Sequence, residues 1–127
     1  MVSLILISHS QKIVEGLKDL VGEMAKGIPI FVAGGNSEGG LGSNYELIKD
    51  VIQQAQSPHG SVILFDLGSS AMTAETVLDE LDDAIKSNIK IVNAPLVEGA
   101  IVAAVEIRSG ASLEDILATL KDIEIIK

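Results

Sequence analysis

Met-Val-Ser-Leu-Ile-Leu-Ile-Ser-His-Ser-Gln, residues 1–11, is the stretch whose reading decides the fold. Val2–Ile7 is apolar except for Ser3 and consists of Ile, Leu and Val. A run of this kind, without strict polar alternation, predicts a strand buried on both faces, as in a parallel sheet. It stops abruptly at Ser8-His9-Ser10, so the strand delivers a histidine to its carboxyl end. Directly after it, Ile13, Val14, Leu17, Leu20, Val21 and Met24 recur at helical spacing, with Lys12, Glu15, Lys18, Asp19 and Glu23 on the other face. Ser8 and Gln11 have capping-box spacing, and Ser10 is an alternative N-cap. Gly27 stands where a C′ glycine closes a helix.

The pattern repeats along the chain. Ile30–Ala33 predicts a second strand, followed by the glycine-rich loop Gly34-Gly35-Asn36-Ser37-Glu38-Gly39-Gly40-Leu41-Gly42-Ser43-Asn44 and a helix with Leu47, Ile48, Val51, Ile52 and Ala55 inward. Ser57-Pro58-His59-Gly60 is a turn. Ser61–Phe65 predicts a third strand ending at Asp66, after which Leu67-Gly68-Ser69-Ser70 opens a helix with the stripe Ala74, Val77, Leu78, Leu81 and Ile85. Ile89–Val92 predicts a short fourth strand broken by Asn93-Ala94-Pro95. A very apolar helix then runs from Leu96 to Arg108, where Ser109-Gly110 breaks it. Ser112-x-x-Asp115 has capping spacing for a last helix with Leu113, Ile116, Leu117 and Leu120, and Ile123–Ile126 is either a short strand or an interface segment.

Four alternations of strand and helix predict an α/β three-layer sandwich with a mainly parallel four-stranded sheet, right-handed crossovers and one domain over residues 1–127. The helix at Leu96–Val105 has almost no polar face, so it must be covered, either by a second copy of the chain in a homodimer or inside the monomer. With 47% hydrophobic residues and only 2% aromatic ones, the core must be aliphatic. A formal net charge of −9 with so few aromatics argues against a nucleic-acid reader. No cysteine is present, which excludes disulfides and thiolate metal sites, and one well-placed histidine gives too few ligands for other metals. With no signal-peptide pattern and no apolar run of membrane-spanning length, a soluble cytoplasmic protein without membrane contact is expected.

In open α/β sheets the ligand crevice lies outside the carboxyl ends of the strands. There the sequence assembles Ser8, His9 and Ser10, the loop Gly34–Ser43, then Asp66, Gly68, Ser69 and Ser70, and Asn93 with Pro95. A neutral imidazole is a nucleophile near pH 7, and a phosphoryl group on nitrogen remains highly transferable. His9 is therefore either such a nucleophile or an ordinary histidine at a helix start. Asp66 can accept the other ring N–H and orient the imidazole, or simply form a turn. Gly68, Ser69 and Ser70 can offer a helix N-terminus to phosphate, with Ser10 beside them, or serve only as caps. The loop containing Gly35, Gly42 and Ser43 is a partner-docking or anion-binding loop, or a plain connection. It carries neither a Walker A motif nor a dinucleotide fingerprint, and Gly-x-Ser-x-Gly is missing. His59 belongs to the opposite rim.

Taken in order, Val2–Ile7 with Ser8-His9-Ser10, Ala33-Gly34-Gly35, Gly42-Ser43, Asp66-Leu67-Gly68-Ser69, Ala74-Glu75-Thr76 and Ala94-Pro95-Leu96-Val97-Glu98-Gly99 resemble the mannose-class EIIA domains of the bacterial sugar phosphotransferase system. The resemblance is greatest to the branch that donates phosphoryl groups to phosphoenolpyruvate-dependent dihydroxyacetone kinase. Sugar-transporting members tend to carry Gly-Thr-His-Gly around the histidine, where this chain has Ser-His-Ser. The resemblance implies that His9 accepts a phosphoryl group from the carrier protein HPr, with Asp66 near it, and passes it to ADP on a DhaL subunit. The ATP so formed would phosphorylate dihydroxyacetone on DhaK. It also implies a homodimer, no cofactor bound by this chain itself, and, as the chain ends at Lys127, a separate HPr. A sugar-transport EIIA component and a non-catalytic α/β module binding a nucleotide or partner at the same rim are the alternatives.

Overall fold

The computed structural model describes residues 1–123; beyond Ile123, the segment read as strand or interface lies outside them. The elements run β1 (Ser3–Ser8), α1 (Gln11–Met24), β2 (Ile30–Gly34), α2 (Tyr45–Gln54), β3 (Ser61–Phe65), α3 (Gly68–Asp79), α4 (Asp83–Lys86), β4 (Ile89–Ile91), α5 (Leu96–Arg108) and α6 (Leu113–Lys121). The strands form one sheet in the order β2-β1-β3-β4, and every pairing is parallel. β1 is thus an inner strand, with Ile7 opposite both Ala33 and Phe65.

Parallel crossovers place helices on both faces, which explains the unbroken apolar run of β1. Leu4 and Leu6 point into one core with Val14, Leu17 and Val21 of α1, Ala100, Ala103 and Ile107 of α5, and Ile116 and Leu120 of α6. Ile5 and Ile7 point into the other, with Ile48 and Ile52 of α2 and Ala74 and Val77 of α3. All four β1 side chains are at most 1% exposed. Each such burial is worth about 1.5–3 kcal/mol, so this strand anchors both layers.

Three expectations change in detail. The N-cap of α1 is Ser10, whose hydroxyl accepts Ile13 N–H; Ser8 does not form the capping box, because its hydroxyl is bonded elsewhere. The helix after Asp66 does not run on to Ile85. It ends at Asp79 and a short α4 follows, although Leu81 and Ile85 still pack into the second core. Asp79, Glu80, Asp82 and Asp83 crowd this point, and carboxylates at a helix C-terminus oppose the helix dipole. Finally, α5 is buried along Gly99, Ala100, Ala103, Ala104 and Ile107, while Val97 and Val105 remain exposed. Among the described residues no helix is long and apolar enough to cross a membrane.

Candidate functional site

Register brings the carboxyl ends of β1, β2 and β3 level, and the chain leaves each of them on the same rim. His9 follows β1 and Asp66 follows β3, and they meet across the strand boundary. Asp66 Oδ1 lies 3.2 Å from His9 Nδ1, and Asp66 Oδ2 accepts the His9 backbone N–H at 3.0 Å. The carboxylate also accepts Ser8 Oγ–H at 2.7 Å and Leu67 N–H at 2.7 Å. Burial alone would push the Asp66 carboxyl up, but these hydrogen bonds, led by Ser8 and the His9 amide, outweigh it and hold it below its ordinary value. An ionised carboxylate accepts only, so the proton between the two groups sits on Nδ1.

The opposite ring nitrogen is then a lone-pair acceptor. Ser69 Oγ lies 2.7 Å from His9 Nε2, on the exposed side of the ring. Ser70 is fully buried, and its hydroxyl lies 3.1 Å from Nδ1 and 3.4 Å from Asp66 Oδ1. The two adjacent serines therefore take different places. Ser69 stands where a group attached to Nε2 would be, whereas Ser70 supports the Nδ1–carboxylate side. Ser70 N–H is bonded to Leu67 carbonyl, which leaves the amides of Gly68 and Ser69 as the groups of the α3 N-terminus able to face an anion.

The glycine loop closes the rim on the β2 side. Asn36 organises it: its Oδ1 accepts Glu38 and Gly40 N–H, and its Nδ2 donates to Leu41 carbonyl. Gly42 N–H donates to the His9 carbonyl at 2.9 Å, so the loop is bonded to the histidine's own backbone. Gly35 has φ +82°, and a Cβ there would meet the Gly40 carbonyl at 2.9 Å. Leu41 projects from the loop with 77% exposure, and Leu67 and Met72 are also exposed beside the site. Ser43 is exposed and makes no side-chain contact with His9 among the described hydrogen bonds. Ser10 stays close to the histidine, but its hydroxyl caps α1. His59 lies in the turn before β3 and lines a surface pocket with Ile107 and Leu113 at the other end of the sheet.

The sequence puts Ser8 at this rim and Asn36 in the glycine loop but assigns neither of them its contacts in the site. Ser8 bonds a residue 58 positions away, which no local pattern encodes. Asn36 was discoverable from its place after paired glycines, since Asn side chains readily close turns onto the following amides.

The chain is similar to known proteins over nearly its whole length. The family model EIIA-man, described as PTS system fructose IIA component, matches residues 3–117. A Listeria innocua protein, PEP-dependent dihydroxyacetone kinase 2, phosphoryl donor subunit DhaM, is 40% identical over 97% of this chain and 99% of its own. The Lactococcus lactis PTS-dependent dihydroxyacetone kinase, phosphotransferase subunit DhaM, is 32% identical over 98% of this chain and 97% of its own. A crystal structure of a protein of unknown function superposes with a TM-score of 0.86 at 33% identity, covering 99% of this chain and 98% of that one. A histidine and an aspartate held together at the rim of a parallel sheet, within a match of this extent, place the chain in the EIIA-man family of phosphotransferase-system components.

Proposed function

We propose that the chain is the phosphoryl-donor subunit of a phosphoenolpyruvate-dependent dihydroxyacetone kinase, with His9 as the relay point. The observation that carries this reading is the held ring: Nδ1 faces Asp66 and Nε2 faces the exposed side beside Ser69. In the proposed cycle, the N–P bond of phosphohistidine on HPr breaks as one forms at His9 Nε2. The HPr imidazole leaves with the electron pair of the broken bond. As phosphorus is bound, the His9 ring takes on positive charge, which Asp66 steadies through Nδ1–H. The Ser69 hydroxyl turns from Nε2 to a phosphoryl oxygen, and the Gly68 and Ser69 amides receive the others at the helix N-terminus. In the second half, a terminal phosphate oxygen of ADP on DhaL attacks the same phosphorus, the His9–P bond breaks, and ATP forms on the partner for use on DhaK.

Phosphoryl transfer of this kind depends on position and charge more than on covalent machinery. A part-exposed imidazole on an open rim suits two partners docking in turn, with the nucleotide held by the partner and not by this chain. The dihydroxyacetone kinase subunits among its relatives favour that kinase over sugar transport. The reading includes a cytoplasmic setting and a homodimer. Ile13, Leu20 and Met24 of α1 and Val97 and Val105 of α5 are exposed apolar side chains on two helices of the same layer that pack together, and they offer a surface for a second copy.

The test is incubation with phosphoenolpyruvate, Enzyme I and HPr, followed by addition of DhaL, ADP, DhaK and dihydroxyacetone. The expected result is an acid-labile, base-stable phosphate on the wild type and none on His9→Ala, discharged on adding the kinase subunits. An unlabelled wild type would overturn the relay. Discharge only to a sugar permease component would overturn the dihydroxyacetone branch.

A further inference from the structure

Ser8 is 2% exposed at the carboxyl end of β1, and its hydroxyl is fully engaged. It donates to Asp66 Oδ2 at 2.7 Å and accepts Ser10 N–H at 3.0 Å. It is not needed to cap α1, since Ser10 does that. Its backbone is fixed independently, because its carbonyl accepts Gly35 N–H at 3.3 Å and the residue pairs with Gly34 in the sheet.

We propose that Ser8 is a positioning residue for phosphoryl transfer, fixing the Asp66 carboxylate so that the His9 ring is held as its Nδ1–H tautomer. This role rests on the relay reading above. Asp66 Oδ2 is taken up by Ser8 Oγ–H and the His9 amide, so Oδ1 is the oxygen left to face the ring, with Leu67 N–H bracing it from the other side. The direction of the Ser8 hydrogen is itself determined: the oxygen accepts from the Ser10 amide, so the hydrogen is free to point at the carboxylate. Without the hydroxyl, Oδ2 keeps one donor, the Ser10 amide loses its acceptor, and the carboxylate can turn away from Nδ1. A ring no longer held at Nδ1 can place its proton on Nε2, where it blocks attack on phosphorus. Ser8 itself is nearly closed to solvent, so water is poorly placed to take over both bonds.

The experiment compares wild type, Ser8→Ala and Ser8→Thr by the rate of phosphoryl uptake from phospho-HPr and by nitrogen NMR of the unphosphorylated His9 ring. Ser8→Ala is expected to be slower by about tenfold or more, with the Nε2–H tautomer becoming visible. Ser8→Thr, which keeps the hydroxyl, is expected to retain the Nδ1–H tautomer and a rate close to wild type. Wild-type rate and tautomer in Ser8→Ala would overturn the proposal, as would a Ser8→Thr variant as slow as Ser8→Ala. The NMR reading needs no phosphoryl donor, so a wild type that accepts no phosphoryl group would overturn the relay while the tautomers still report whether Ser8 orients the ring.

Discussion

Asp66 stays charged although burial works against it, because donors from the end of β1 and the start of α3 converge on its two oxygens. Since its folded value lies below the unfolded one, the stability this network contributes is complete above the unfolded value. It is lost as pH falls through the depressed folded value. Asp66→Asn removes that dependence and can present an amide N–H to Nδ1, which favours the wrong tautomer. Denaturant unfolding measured from neutral to acid pH is expected to show a shallower acid limb for the variant. Its phosphoryl uptake is expected to fall by about tenfold or more. At this scale the sequence was legible where chemistry is rare: only two histidines are present, and only one ends a strand. It was less legible for Ser69 and Ser70, which are identical neighbours in the chain. Only the helical turn between them decides that one meets Nε2 in the open and the other supports Nδ1 from within.

Among the elements, α2 and α3 cover the second face of the sheet and are joined at their outer edge by the Tyr45 hydroxyl, which donates to Glu80 Oε1. That bond, with burial and the nearby Glu80 and Glu46 charges adding to it, pushes the Tyr45 phenol up to about 12. For an acid whose folded value is raised, the associated stability is present below the unfolded value near 10 and disappears as pH rises through the folded one. Tyr45 is the chain's sole tyrosine and there is no tryptophan, so phenolate absorbance reads it directly. The expected titration midpoint is about 12 in the wild type and closer to the free value in Glu80→Gln. The bounds of α5 were legible because Pro95 and Ser109-Gly110 interrupt the chain on either side, and Gly110 takes φ +89°. The break between α3 and α4 was hidden, because Leu81 and Ile85 keep the apolar stripe going while the backbone turns toward β4.

The whole molecule divides its apolar surface into two cores and a remainder. The cores were legible in the alternation within Leu4-Ile5-Leu6-Ile7, where successive side chains serve opposite layers. Besides Leu41, Leu67 and Met72 near the site, the remainder includes the exposed stripe on α1 and α5. Sequence alone left the cover of the α5 helix open, but it placed Ile13, Leu20 and Met24 on the apolar face of α1, and the structure leaves these three exposed. If that stripe joins two copies, sedimentation should show a wild-type dimer that Leu20→Glu combined with Val105→Glu converts to a monomer. His9 should still be phosphorylated in the separated chains, since Asp66, Ser69 and Ser70 of its own chain hold its ring. Strand order carries a consequence for synthesis. The strand that carries His9 precedes the other three in the chain, yet it ends up inside the sheet, between β2 and β3. A nascent chain stalled after α2 holds the histidine and its glycine loop, but neither the carboxylate nor the helix start that give the ring its direction. On the proposed relay, chemical competence therefore arrives only when β3 and the beginning of α3 have left the ribosome and inserted beside β1. A phosphorylatable His9 would then report a finished sheet, and an unfinished chain could not draw phosphoryl groups from the carrier pool.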